Sequence, residues 1–392
     1  MRRLLIVSHT PHYPGPRPGD GAGGVLGWGA TVRELDRLAT LFDEVVHLAP
    51  LYDLPPPPSS RAYAAPNLRL RPLRPAGGES LAAKLGIVRG APAFYAALAD
   101  EVRRADAVHV RAPANLALLT FLARPLLGRD KPWWVKYAGN WRPSEGSGAR
   151  QEARSYRLQR AWLRRPRRRL AVTVNGRWQG DGPHVRSFLN PCLGEDELER
   201  ALDSGEREIA EPLEMLFVGR LEDAKGAGRA LELLARTPRA RLVLAGDGPL
   251  RPELERRAAE GGLNASFRGW LPRERLDACY RSAHLLLLPS LASEGWPKVI
   301  SEAMAWGVVP VTSDVSSMPQ ILAELGVGGC GPAEDLDALA GEIERLRAPR
   351  VFSDQSAKAR RAAGLFTYER YLGAVRDLFS ELQGGEAAGL SY

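Results

Sequence analysis

The stretch HLLLLPSLASEGWPKVISEAMAWGVVPVTSDVSSMPQI, residues 284–321, decides the fold. Leu285 to Leu288 form a short unbroken apolar run, the pattern of a parallel strand buried on both faces. A loop rich in small residues follows and carries Glu294 and Gly295. Pro297 suits the first turn of a helix, where its missing N–H costs nothing. Val299, Ile300, Ala303 and Met304 recur at helical spacing, so this helix buries one face. Gly307 ends it, and Val308 to Thr312 reads as the next buried strand. Strand, loop, helix, strand predicts an open α/β sheet, whose ligands bind at the carboxyl ends of the strands. Glu294 falls at that edge, and Glu302 lies eight residues later inside the helix. The first free N–H groups of the helix, near Lys298 and Val299, offer an anion site between the two carboxylates. Carboxylates accept hydrogen bonds from sugar hydroxyls and a helix terminus holds a diphosphate, so the set suits a nucleotide sugar.

A second group of charges lies upstream. MLFVGRL, residues 215–221, reads as another strand, and the following EDAKG places Arg220 and Lys225 at its carboxyl end. Two fixed cations there can neutralise a diphosphate as its charge grows during bond cleavage. With Glu294 and Glu302, this pattern resembles retaining GT-B glycosyltransferases, specifically glycosyltransferase family 4 (group 1). The resemblance is strong over residues 213–322 and looser over the first half. It implies two Rossmann-like domains facing a central cleft, with residues 1–191 binding acceptor, residues 192–365 binding the nucleotide sugar, and a C-terminal helix over 366–385 crossing back. It also implies that Arg220 and Lys225 bind the donor pyrophosphate, Glu294 the sugar and Glu302 the ribose hydroxyls. Gly23 and Gly24 match the glycine pair that approaches the donor phosphates, and the base is cradled near Gly246 and Arg268 to Leu271. Many relatives have a second glycine where this chain has Trp296 and Pro297, a departure within the sugar-binding loop.

The 392 residues exceed one ordinary core and suggest two domains. No run approaches the roughly 18 apolar residues of a membrane span. The N-terminus enters the strand LLIVS directly from Arg2 and Arg3, unlike a signal peptide. Cys192, Cys279 and Cys330 are widely spaced and odd in number, which indicates neither a disulfide framework nor a zinc site. A cytoplasmic protein is expected. The net charge of +8 is unevenly spread: residues 1–200 hold 31 basic and 18 acidic residues, net +13, while the remainder holds 23 and 28, net −5. Arg150 to Arg169 contains nine arginines against Glu152. Such a segment suits an anionic membrane surface, peripherally bound, or a plain solvated face. No nucleic-acid motif accompanies the charge, which argues against a nucleic-acid partner.

In the first half, a strand over residues 4–8 precedes a long glycine- and proline-rich loop to Gly29, where a flexible loop is an equal reading for Gly24. No GxGxxG follows that strand, so it lacks a dinucleotide fingerprint. Leu51 to Ser80, with four prolines from Pro55, reads as irregular surface, and Leu81 to Ala105 as a helix broken at Gly86, Gly90 and Pro92. AVHVRAP gives a strand whose alternation turns His109 and Arg111 to one face. Family members often carry a histidine pair here; Arg111 replaces the second, and His109 also reads as a core histidine. After the strand PWWVKYA, Asn140 lies at a strand end as a further acceptor-side candidate beside His109 and Arg111. Asp335-Leu336-Asp337 mimics a metal motif but sits where acids stabilise a helix start, so it reads as capping.

The expected reaction moves a sugar from a nucleotide diphosphate sugar to an acceptor hydroxyl with retention. Cell-envelope polysaccharide, lipopolysaccharide or glycolipid synthesis is the expected setting, with a lipid-linked or saccharide acceptor. No metal or other cofactor is expected, because Arg220 and Lys225 supply positive charge. Two rivals stand beside it: another GT-B nucleotide-sugar enzyme such as an epimerase, and a degenerate non-catalytic module at a membrane surface.

Overall fold

The computed structural model describes residues 3–15, 24–76, 81–143, 153–291 and 295–384. The chain forms two compact units, one of Met1–Gly139, Glu152–Phe188 and Arg370–Tyr392, the other of Asn140–Gln151 and Leu189–Glu369. The divisions thus fall after Phe188 and after Glu369, and Asn140 groups with the second unit.

The strands of the first unit are β1 (Arg3–Val7), β2 (His12–Pro14), β3 (Val25–Trp28), β4 (Glu44–Pro50), β5 (Ser60–Ala62), β6 (Leu68–Leu73), β7 (Ala107–Ala112), β8 (Trp133–Tyr137), β9 (Leu170–Val174) and β10 (Val185–Ser187). Seven make a parallel sheet in the order β10-β9-β8-β7-β1-β4-β6, while β2, β3 and β5 form a small antiparallel sheet. Leu4, Ile6 and Trp134 project into a core closed by the final helix, Tyr368–Leu382. That helix presents Tyr371, Val375, Leu378 and Phe379 at helical spacing, which explains why its amphipathic sequence docks here.

Two expectations fail in this unit. The segment 51–80 is not wholly irregular: it contains β5 and β6, and β6 pairs along its length with β4. LRLRPL alternates leucine with arginine, the period of an edge strand, and Pro72 is tolerated at an edge. The helix Leu81–Arg104 runs unbroken through Pro92. Phe94, Leu98 and Val102 are buried at helical spacing beyond it, and that packing outweighs the lost hydrogen bond.

The second unit contains β11 (Leu213–Val218), β12 (Ala240–Ala245), β13 (Ala265–Gly269), β14 (Leu285–Leu288), β15 (Val309–Ser313) and β16 (Gly329–Gly331). All pair in parallel in the order β13-β12-β11-β14-β15-β16. Both faces are apolar: Met215, Phe217, Leu285 and Leu287 enter one core, and Leu216, Leu286 and Leu288 the other. Each such buried leucine contributes about 2 kcal/mol, so continuous apolar runs favour this doubly covered sheet. Strand order reverses between β11 and β14, which defines the switch point of a doubly wound fold.

The helix expected after β14 spans Lys298–Ala305, with Pro297 at its N-cap. It closes as foreseen on Gly307, at φ 72°. Gly307 N donates to Met304 O at 2.9 Å and Val308 N to Ala303 O at 3.1 Å, the two bonds of a Schellman cap. Asp335 caps the helix Leu336–Arg347, its side chain accepting from Ala338 N at 2.9 Å. Among the described residues no helix is long and apolar enough to cross a membrane.

Candidate active site

At the carboxyl end of β11 the chain passes through Gly219 and Arg220 into a turn, Asp223–Lys225. Arg220 projects outward, its side chain 71% exposed, with Glu222 at 3.2 Å. Lys225 is half-buried; burial lowers its pKa, Arg220 lowers it further and Glu222 opposes both. The turn is fastened to the end of β14: Leu291 N and Ser290 Oγ each donate to Ala224 O at 2.9 Å. Gly226, at φ 79°, makes that approach possible, since a Cβ there would stand 2.0 Å from Pro289 O. Arg220, Lys225 and the loop leading towards Glu294 therefore share the switch point. Glu294 itself lies outside the described residues.

The neighbouring strand ends are equally close. Gly219 N donates to Ala245 O at 3.0 Å, and Gly246 N to Gly269 O at 2.8 Å. A Cβ on Gly246, which has φ 142°, would meet Gly219 O at 1.8 Å, so glycine there answers to backbone packing at the strand ends. Gly24 differs: it is exposed, and a Cβ would meet nothing within 4 Å among the described residues. Its partner Gly23 lies outside the described residues.

On the helix after β14, Lys298 and Val299 stand half-buried in the first turn, and Val299 packs on the core. Glu302 faces the helix Arg273–Ser282, accepting from Tyr280 OH at 3.0 Å and lying 3.1 Å from Arg273 Nη1. Its side chain keeps 14% exposure, and its two oxygens retain acceptor capacity beyond those two donors. Burial and then Glu302 push the Tyr280 phenol well above its ordinary pKa, so it remains a donor. Trp296, where relatives have glycine, is buried: Nε1 donates to Ser301 Oγ at 2.7 Å and the indole stacks on Phe366 at 5.5 Å. Ser317 Oγ holds Gly295 O at 2.8 Å and Asn190 Nδ2 holds Trp296 O at 3.2 Å. Arg273 and Tyr280 were not singled out from sequence, since their partner Glu302 is on another helix.

In the first unit, Arg111 on β7 is in register with Lys136 on β8. Both point at Glu34, on the helix Gly29–Ala39, at 2.7 and 2.6 Å from Oε1, and Tyr371 OH donates to the same oxygen at 3.2 Å. His109 is fully buried against Trp134, with ring centroids 3.8 Å apart and Nδ1 3.2 Å from Trp134 O. Burial, then Arg111 and Lys136, hold it neutral. This is the core-histidine arrangement. Asn140 Oδ1 accepts from Arg142 N at 3.1 Å, and Asn140 groups with the second unit. A further polar cluster was not foreseen: His47 bridges Ser8 Oγ at 2.7 Å and Tyr63 OH at 2.6 Å, and His12 reaches the same phenol at 2.7 Å.

Two units, each built on a parallel sheet of the doubly wound type, are the architecture of the GT-B fold. Sucrose-phosphate synthase from Thermosynechococcus elongatus is similar over 98% of this chain and 99% of its own, with TM-score 0.70 and 20% identity. Residues 200–363 match the family model described as glycosyl transferases group 1. The amylovoran biosynthesis glycosyltransferase AmsK of Erwinia amylovora is 33% identical over 149 residues, 35% of this chain and 37% of that protein. The GDP-mannose-dependent alpha-(1-6)-phosphatidylinositol dimannoside mannosyltransferase of Mycobacterium tuberculosis is 33% identical over 168 residues, 41% and 42% of the two chains. The chain thus spans about two fifths of these curated relatives' length.

Proposed function

We propose that this chain is a retaining glycosyltransferase of family 4 that moves a sugar from a nucleotide diphosphate sugar to an acceptor hydroxyl. The observation that carries the reading is the Asp223–Lys225 turn fastened to the end of β14, which gathers Arg220, Lys225 and the N-terminus of the helix Lys298–Ala305 at one switch point. Arg220, Lys225 and the helix terminus at Val299 neutralise the leaving diphosphate, and Glu302 receives the ribose hydroxyls. Glu294 orients the sugar. As the bond from the anomeric carbon to the diphosphate oxygen breaks, the acceptor oxygen bonds the same face of that carbon, and the leaving oxygen takes the acceptor's proton. No side-chain base and no metal is needed in this scheme, which suits a site where the family's second histidine is Arg111.

We further assign the acceptor to envelope polysaccharide or glycolipid synthesis, in line with the amylovoran biosynthesis and phosphatidylinositol dimannoside transfer that name the two relatives, and place the reaction at the cytoplasmic membrane face. The helices Asn115–Leu127 and Arg154–Leu163 pack together, and Leu122, Leu126 and Leu158 are exposed on them near the exposed Arg164 and Arg165. Protruding leucines beside arginines suit an anionic lipid surface.

The deciding experiment is a thermal-shift screen against nucleotide diphosphates and their sugars, because a ligand of the folded state raises the melting temperature by mass action. A shift with one nucleotide family, lost in Glu302→Ala, supports donor binding and names the base. No shift with any nucleotide overturns the reading and favours the non-catalytic module.

A further inference from the structure

A cavity of about 330 Å³ lies in the second unit. It lies at the amino-terminal edge of the sheet: Arg207 at its wall donates to the carbonyls of Ala283 at 2.7 Å and Trp306 at 3.2 Å, just before β14 and β15. Arg360 and Arg361, from the helix Pro349–Ala363, complete a wall of three guanidiniums, while Leu198 and Leu202 form an apolar side. The arginine stems converge under Gly307, where a Cβ would stand 3.0 Å from Arg207 Cδ and 3.2 Å from Arg360 Cδ.

The hydrogen bonds of Arg207 and Arg360 in this cavity go to uncharged groups. Arg207 also reaches Tyr280 O at 3.2 Å, and Arg360 bonds Ser204 Oγ at 3.1 Å and the carbonyls of Ala201 and Leu202. All of these acceptors are neutral. Among the described residues no carboxylate lies within 4.0 Å of any of the three guanidiniums, although Glu206 lines the same cavity. Burial and then the neighbouring Arg360 lower the Arg207 pKa to about 10, while burial also lowers that of Arg360 and Glu206 opposes it there. Some arginines elsewhere in this chain meet carboxylates, as Arg347 does with Glu211 at 2.6 Å and Arg256 with Glu260 at 2.7 Å. Guanidiniums are weakly hydrated and match phosphate oxygens in pairs, so they bind such an anion better than lysines would. The volume is that of a small-molecule site, with an apolar wall for carbon and a charged wall for the headgroup.

We propose that this cavity binds a small organic phosphate monoester, its dianion against Arg207, Arg360 and Arg361 and its carbon body against Leu198 and Leu202. The site is separate from the switch point, which lies at the opposite edge of the same sheet.

Isothermal titration of the full chain with hexyl phosphate, and separately with inorganic phosphate, tests the assignment. Ala357 lines the cavity from an exposed helical position, so Ala357→Glu brings a carboxylate to the arginines without disturbing the core. Hexyl phosphate is expected to bind the natural protein more tightly than inorganic phosphate, and Ala357→Glu to weaken it by about tenfold or more with the ligand-free melting temperature unchanged. Should Ala357→Glu fold poorly, Arg361→Gln at another exposed position is expected to weaken binding in the same direction. Absence of binding to the natural protein, equal binding in the variants, or inorganic phosphate binding as tightly as hexyl phosphate overturns the proposal.

Discussion

Arg273 Nη1 lies 3.1 Å from one Glu302 oxygen, and the Tyr280 hydroxyl donates to the other at 3.0 Å, so a single helix holds the carboxylate assigned to the ribose. A carboxylate fixed by two donors receives a diol without first losing side-chain freedom. Arg273→Ala is expected to raise the donor KM about tenfold with a smaller effect on kcat, and to cost about 1–3 kcal/mol of stability by leaving a half-buried charge short of a partner. Tyr280→Phe should cost about 1 kcal/mol. Urea unfolding and initial-rate kinetics measure both. A kcat loss with KM unchanged would contradict a binding role.

Gly226 and Gly24 make opposite demands. Gly226→Ala puts a methyl 2.0 Å from Pro289 O at a backbone with φ 79°, so the lysine turn must leave β14. The expected cost is about 2 kcal/mol or more, with nucleotide binding lost. Gly24→Ala enters open space and should change stability by less than about 0.5 kcal/mol. Melting curves for the two variants decide the contrast.

Lys225→Ala removes a half-buried cation but no core contact. The expected result is a normal melting temperature with kcat lowered about 100-fold or more, the scale of losing one charge-stabilising group. Near-normal turnover would remove the lysine from the mechanism.

Glu34 is the shared partner of Arg111 and Lys136. Glu34→Gln leaves two buried cations against a neutral amide and should destabilise the first unit by about 3–5 kcal/mol. In Glu34→Gln/Lys136→Met much of that loss should return, because one stranded charge is gone. Chemical denaturation of the single and double variants checks the pattern.

Acid should weaken the fold through its histidines. Burial lowers His12 to about 4 and holds His47 well below the ordinary histidine range, and burial together with Arg207 lowers His284 to about 4. The unfolded chain then binds more protons than the folded one between about pH 6.5 and pH 4. Stability is therefore full above about pH 6.5 and falls as pH drops through that window, by at most about 1.4 kcal/mol per pH unit for each histidine. Urea midpoints at pH 7 and pH 5 measure the slope, and His47→Gln should make it shallower. A flat profile in the natural protein would contradict the neutral cluster.

How much of this was legible depended on sequence distance. β14, the helix after it and its stop at Gly307 are local patterns of apolar spacing and backbone freedom, and they fold as read. The Asp335 cap joins residues three apart and was equally plain. By contrast, β6 was missed because four prolines from Pro55 outweighed the short leucine–arginine alternation that follows. The helix through Pro92 was misjudged because local propensity omits the burial of Phe94, Leu98 and Val102.

The sequence by itself determined an α/β chain with Arg220 and Lys225 near a strand end and Glu302 inside the helix after β14, since strand and helix periods and glycine stops act within a few residues. Only the tertiary structure decided what those groups touch. Glu302 meets Arg273 and Tyr280 across two helices, Gly226 presses on Pro289 across the switch point, and Glu34 meets Lys136 across 102 residues of chain. Such pairs bring together residues whose separation carries no periodic signal, and they form only once the parallel strands have set the register on which the side chains converge.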